Sequence, residues 1–196
     1  MPGDPYYNFF SMQFIKAADY FTVDEYVHST QALISESRDL DASVIPHSED
    51  ELIYRYNHSI VGIEWESLIG HLALYPTDIE KLAWLNIGEM WSVIIRPWQR
   101  KKWYGEKMVE SGVMELWNKY AAVLAATINE KMEKILNHHN FQYIRFPTTC
   151  YEWWKKYLSP LMQGWVEEFA RRAKCLLKPQ SEWIIHQINQ QTEVCA

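Results

Sequence analysis

The sequence is poor in the residues that punctuate or staple a chain. Its 7 glycines and 8 prolines in 196 residues are too few for a collagen-like, linker-like or low-complexity protein. It has 3 cysteines, Cys150, Cys175 and Cys195, an odd number with no C-x-x-C spacing. That pattern argues against a disulfide framework and against a cysteine-based zinc site, and predicts reduced thiols. No stretch reaches the roughly 18 consecutive apolar residues that span a bilayer. The opening "MPGDPYYNFF" lacks the basic region and long apolar run of a signal peptide. The expectation is a cytoplasmic protein without a membrane segment. Positive charge is also short. Lys and Arg number 19 against 25 Asp and Glu, a net charge of -6, which makes nucleic acid an unlikely partner.

Apolar residues are plentiful, at 48%, enough for the core of one domain. Tryptophan is unusually frequent, with 10 copies. Most are read as core and groove aromatics, and the alternative is a flat binding face.

Periodicity gives an order of elements. "TVDEYVHSTQALISESR" and "HSEDELIYRYNH" read as helices, the second opened by a capping box of Ser48 and Glu51. "SIVGIEWE" and "SLIGHLALYP" read as two strands joined by a tight turn near Trp65 and Glu66. "GEMWSVIIRP" reads as a third strand, closed by Pro97, and its Val93-Ile94-Ile95 run asks for cover on both faces. A helix follows Gly105, then the buried strand "AAVLAATI", the short helix "NEKMEKILNHHN" and a final strand "FQYIRF". The strand–helix–strand units of the second half require parallel pairing there. The predicted fold is α/β, a mixed central sheet with helices on both faces over residues 1–147, and a helical C-terminal extension over 148–196 packed on that domain. Trp153, Trp154, Trp165 and Trp183 in the extension would fasten it down, or wall an acceptor pocket or homodimer face.

The stretch "RPWQRKKWYGEKM" stands out as a basic loop between a buried strand and a helix. A helix start offers unpaired N–H groups and the positive end of its dipole, so anions bind there. Arg100, Lys101 and Lys102 add full charges, and Gly105 permits close approach. The physical reading is a phosphate-binding turn, set against a merely solvated basic face.

These residues carry a resemblance. A strand led by Glu89 and closed by Pro97, then Arg100 and Gly105 in an Arg/Gln-x-x-Gly-x-Gly/Ala frame, then a helix, resembles the GCN5-related N-acetyltransferase (GNAT) family. Asn129 after the next strand and Phe141 before the last one fall at matching places, and the likeness covers roughly residues 22–147. It implies an acyltransferase with acetyl-CoA as co-substrate, acting on a small amine or a basic peptide. It implies a pantetheine arm along Val93, Ile94 and Ile95, a diphosphate over Arg100 to Gly105 including Trp103 and Tyr104, and a supporting Asn129. Glu89 is the candidate base, with Glu64 and Glu66 as rivals. Two departures matter. Trp103 stands where the family has a glycine, a position where positive φ suits a bulky residue poorly. Leu136 stands where a tyrosine often protonates the leaving thiolate, leaving Tyr143, Tyr151 or water for that task. No metal is predicted, because adjacent His138 and His139 point in different directions, and His71 reads as a satisfied core or cleft histidine. A second reading follows from Trp103 and Leu136: an inactive relative acting through its Trp-rich helices as a binding or inhibitory module.

Overall fold

The structure, a computed structural model, describes residues 12–41, 44, 46–76, 84–100, 103–144 and 173–193. The elements are β1 (Gln13–Lys16), α1 (Val23–Arg38), α2 (Glu49–Arg55), β2 (Ser59–Glu64), β3 (Ser67–Pro76), β4 (Ile87–Ile95), α3 (Tyr104–Trp117), β5 (Ala122–Thr127), α4 (Glu130–His138), β6 (Gln142–Tyr143), β7 (Lys174–Pro179) and α5 (Glu182–Glu193). The strands form one sheet in the order β1-β2-β3-β4-β5-β7-β6. Among the described ladders, β4–β5 is parallel and the others are antiparallel.

Local chemistry explains the boundaries. Thr22 and Glu25 form a reciprocal capping box at α1, and Ser48 and Glu51 do the same at α2. Trp65 and Glu66 both take positive φ, 53° and 60°, the geometry of a two-residue hairpin turn between β2 and β3.

One face of the sheet carries a continuous core. Leu72 and Leu74 of β3, Met90 of β4 and Val123 of β5 pack there against Met108, Val109 and Leu116 of α3 and Leu136 of α4. The other face is divided. Under α1 and α2 lie Tyr26, Leu33, Leu52, Val61 and Ile94. Under α5 lie Ile87, Leu124, Leu177, Ile184 and Ile188. Between these two clusters runs a polar strip of His71, Tyr75, Glu89 and Ser92, set by the alternation along β3 and β4.

The C-terminal segment corrects one expectation. "KCLLKP", read from sequence as helix, is strand β7, inserted between β5 and β6. There it gains a ladder on each side, and its alternation sends Leu176 to one core and Cys175 and Leu177 to the other. The segment therefore completes the sheet before ending in the expected helix, α5. For the same reason β6 does not pair with β5 directly, although the two strands run the same way. Strand β1 has no counterpart in the sequence reading. Trp153, Trp154, Trp165, Tyr151, Cys150 and Cys195 lie outside the described residues. Trp183 is exposed and meets Trp84 edge to face at 6.1 Å. Among the described residues, no helix is long and apolar enough to cross a membrane.

The core makes a direct demand. Leu72 is fully buried, and a Cβ on Gly112 of α3 would come within 2.5 Å of its Cδ2, so helix and sheet are in close contact there. Leu72→Ala should cost about 2–5 kcal/mol. In urea denaturation the midpoint should fall at an unchanged m-value.

Candidate functional site

β4 and β5 pair only from Ile87↔Ala122 to Met90↔Ala125. Beyond Met90 the two strands part. The cause is a bulge: Ser92 has φ 54°, and the β3–β4 register shifts between His71 and Ala73. From Ser92 to Ile95, β4 has no ladder partner on its β5 side among the described residues.

The gap is a cavity of about 820 Å³. Met90 to Ile95 form one wall, Ala125 to Asn129 the opposite one, and Met132, Ile135 and Leu136 of α4 the back. Pro97, Trp98, Arg100, Trp103, Gly105 and Glu106 edge the mouth, and Asp41, Val44 and His47 close a further side. Of the residues singled out from sequence, Val93, Ile94, Ile95, Arg100, Trp103, Gly105 and Asn129 thus share one cavity. Lys101 and Lys102 lie outside the described residues.

The start of α3 differs from the other helix starts. The first turns of α1, α2 and α4 are capped by the side chains of Thr22, Ser48 and Asn129, whereas α3 has no side-chain cap. Its first-turn N–H groups are left for another acceptor. Trp103, the N-cap, has φ 64° and ψ 5°, the left-handed region natural to glycine. The loop therefore keeps the backbone path of a glycine while carrying an indole that is 69% exposed, at a cost of about 1–2 kcal/mol. The expected steric conflict at Trp103 is absorbed as local strain rather than by rerouting the loop.

Both flanks of the loop are braced by one carboxylate. Gln99 Nε2 and the Tyr104 hydroxyl donate to the two oxygens of Glu64, the latter at 2.7 Å. Tyr104 and Glu64, a candidate ligand residue and a rival base, thus hold the loop in place. Arg100 Nε donates to the Ile95 carbonyl at 3.1 Å, and its Nη1 stands 3.8 Å from the Asp41 carboxylate. Asn129 caps α4, with Oδ1 accepting from the Lys131 and Met132 amides, and its Nδ2 lies 3.4 Å from Asp41. Asp41 therefore joins the two sides of the cavity.

Glu89 is not an exposed strand-end residue. It is the third residue of β4, 2% exposed, paired with Tyr75 of β3 and Leu124 of β5. The Trp91 indole N–H donates to its Oε2 at 2.6 Å. Glu89 points to the face opposite α3 and does not line the cavity, although its neighbours Met90 and Trp91 do. Glu66 lies exposed in the hairpin turn. Burial first, and then the charge of Glu89, push the Cys175 thiol up to about 12, so it is no nucleophile at neutral pH. Tyr143 is exposed at the sheet edge with its hydroxyl on Glu133 and Asn137, away from the cavity. Leu136 is buried and offers no proton.

Sequence reading missed the polar network around Ser92. Its Oγ accepts from Arg55 Nη1 at 2.8 Å and lies 2.8 Å from His47 Nε2. Its carbonyl accepts from His71 Nδ1 at 3.3 Å. His71 Nε2 meets the Tyr26 hydroxyl at 2.8 Å, and that hydroxyl meets Ser59 Oγ at 2.8 Å. Burial, helped by Arg55, pulls the His71 imidazole down to about 3 and the His47 imidazole down to about 4, the latter against the opposing pull of Glu51. Both rings are neutral at pH 7. Nothing local in the sequence signals a serine at positive φ, so the network could not be assembled from spacing.

Comparison with known proteins places this geometry. No protein-family model and no curated protein matches the sequence. Solved structures do match. The N-acetylglutamate synthase from Neisseria gonorrhoeae, complexed with coenzyme A and N-acetyl-glutamate, superposes with a TM-score of 0.60 at 14% identity over 88% of this chain. This chain spans only 36% of that protein. Rv2747 from Mycobacterium tuberculosis, in complex with CoA, gives 0.64 at 12% identity, covering 86% of this chain and 99% of that one. A GNAT superfamily phosphinothricin acetyltransferase from Sinorhizobium meliloti, in complex with AcCoA, gives 0.58 at 13% identity, covering 89% and 90%. The chain has the acyl-CoA N-acyltransferase fold.

Two measurements check this geometry. Both buried imidazoles have folded pKa values below the unfolded value of about 6.5, so the unfolded chain binds more protons as pH falls. Their contribution is complete above about pH 6.5 and is lost as pH drops toward 4 for His47 and 3 for His71. Urea denaturation should show stability falling between pH 6.5 and 4.5 by roughly 1 kcal/mol per pH unit for each histidine. At Trp103, replacement by glycine should leave stability unchanged or raise it by up to about 1 kcal/mol, whereas Trp103→Val should lower it by about 1–2 kcal/mol.

Proposed function

We propose that the protein is an acyl-CoA-dependent N-acyltransferase that moves an acetyl group from acetyl-CoA to an amine in the cytoplasm. The observation that carries this reading is the meeting, in one cavity, of an unpaired strand edge and an uncapped helix start. A pantetheine arm has amides that need partners, and Ser92 to Ile95 offer them on the open side of β4. A diphosphate needs N–H donors and positive charge, and the first turn of α3 with Arg100 offers both. The coenzyme-bound neighbours in this fold support the same cofactor.

The chemistry follows from the two faces of β4. The thioester lies in the cavity, and a backbone N–H near Ile94 or Ile95 stabilises the oxygen that gains charge. The amine reaches the carbonyl carbon from the opposite face, where Glu89 lies. Nitrogen forms the new bond, the carbon–sulfur bond breaks, and the proton lost by nitrogen passes to Glu89, directly or through water. The thiolate takes a proton from solvent, since Leu136 supplies none. A reading as an inactive binding module rests on Leu136 alone, because the backbone at Trp103 keeps the ligand-compatible path.

The test begins with binding. Acetyl-CoA at a hundredfold excess over its Kd should add about 2.7 kcal/mol of stability. Arg100→Ala should weaken that binding by about 1.5–3 kcal/mol, roughly tenfold or more. Glu89→Gln should keep the Kd and lower the rate of thiol release by about 10²–10⁴. Absence of any stabilisation by millimolar acetyl-CoA overturns the proposal.

A further inference from the structure

We infer that the acceptor is an amine that also carries a carboxylate, and that Arg55 holds that carboxylate. The inference rests on the transferase reading for the chemistry at the amine, but the anion site stands on its own geometry.

Arg55 ends α2 and reaches over the polar strip. One nitrogen, Nη1, makes both of its hydrogen bonds, to His47 Nε2 at 2.9 Å and to Ser92 Oγ at 2.8 Å. Both partners are uncharged. The guanidinium also lies 5.8 Å from the centre of the Tyr75 ring. Among the described residues it forms no ion pair. Glu51, whose carboxyl Arg55 helps to hold low from beyond ion-pair distance, is engaged in the capping box of Ser48 and stands 3.7 Å from His47 Nδ1. A part-buried guanidinium normally faces a carboxylate, and its planar fork fits one by two parallel bonds. Here Nε and Nη2 have no partner among the described residues, so one edge of the fork remains to take a ligand.

The position suits an acceptor. Ser92 touches Arg55 and lines the coenzyme cavity, so a group on Arg55 lies one side chain from the parted stretch of β4. Tyr75, whose ring Arg55 covers, faces Glu89 across the β3–β4 ladder. Burial first, and then Glu89, push the Tyr75 phenol up against the pull of Arg55, so it stays protonated. Its hydroxyl has no hydrogen-bond partner among the described residues. The strip thus presents a cation, a neutral donor and a carboxylate in sequence: Arg55, Tyr75, Glu89. A molecule with an acid at one end and an amine at the other matches it in order and in sign. A purely cationic amine or a basic peptide would meet Arg55 as a like charge.

The test is a panel of amino acids against the amines left by removing their carboxyl group, with thiol release from acetyl-CoA as the readout. Amino acids should exceed their decarboxylated counterparts at least tenfold in kcat/KM. Arg55→Gln should bring the amino acid down to the level of its decarboxylated partner, and Arg55→Lys, which keeps charge without the fork, should raise KM more than it changes kcat. A wild-type preference for the decarboxylated amines, or an equal loss on both sets in Arg55→Lys, overturns the inference. Calorimetric titration with L-glutamate and L-aspartate, without coenzyme, reads the anion site apart from turnover. Binding that depends on Arg55 supports the site even if no amine releases thiol, which would sink the transferase reading alone. No binding and no amino-acid preference sinks the carboxylate site.

Discussion

Ser92 turns the backbone into the left-handed region in the middle of β4, and the parting of β4 from β5 follows from that turn. A serine held there costs about 1–2 kcal/mol, which the surrounding structure must offset. It does so through hydrogen bonds from three directions: Arg55 and His47 on the side chain, His71 on the carbonyl. Those partners are in turn set by α1, β2 and α2, through Tyr26, Ser59 and the Ser48–Glu51 cap. The first two helices therefore do more than cover a face. They maintain the distortion that makes the cavity.

The same economy governs the loop at the mouth. Other helix starts satisfy themselves with Thr22, Ser48 or Asn129, and α3 alone among those four is left open. Its rigidity comes from outside the helix, through Glu64, which receives Gln99 before the loop and Tyr104 after it. Asp41 links Arg100 and Asn129 across the gap. The loop and the two sides of the cavity are thus held by carboxylates, while no side chain among the described residues caps the first turn of α3.

Much of this was legible in sequence because it rests on local patterns. The Ser48–Glu51 capping box, the Trp65–Glu66 turn, the apolar run through Val93 to Ile95 and the Pro97 stop each act within a few residues. The cavity-lining positions Arg100 and Gly105 were visible for the same reason, and Asn129 through the family resemblance. What escaped depends on contacts far apart in the chain. "KCLLKP" has no β-branched residue, and only the vacancy between β5 and β6 makes it a strand. Glu89 looked like a strand end because the boundary at Ile87 is set by Ala122, not by its own neighbours. Arg55 and His47 meet Ser92 across 37 and 45 residues. Tertiary context, not propensity, fixed each of these.

The placement of β7 has a consequence for how the chain folds as it is made. β5 and β6 leave the ribosome well before Lys174 to Pro179, and until those residues arrive neither strand has its antiparallel partner. An apolar edge at Val123 to Ala125 then waits uncovered, the condition under which nascent sheets recruit the wrong neighbour. Closing the sheet with a late strand trades speed and safety in folding for a β5 that is paired along its whole length on the β7 side.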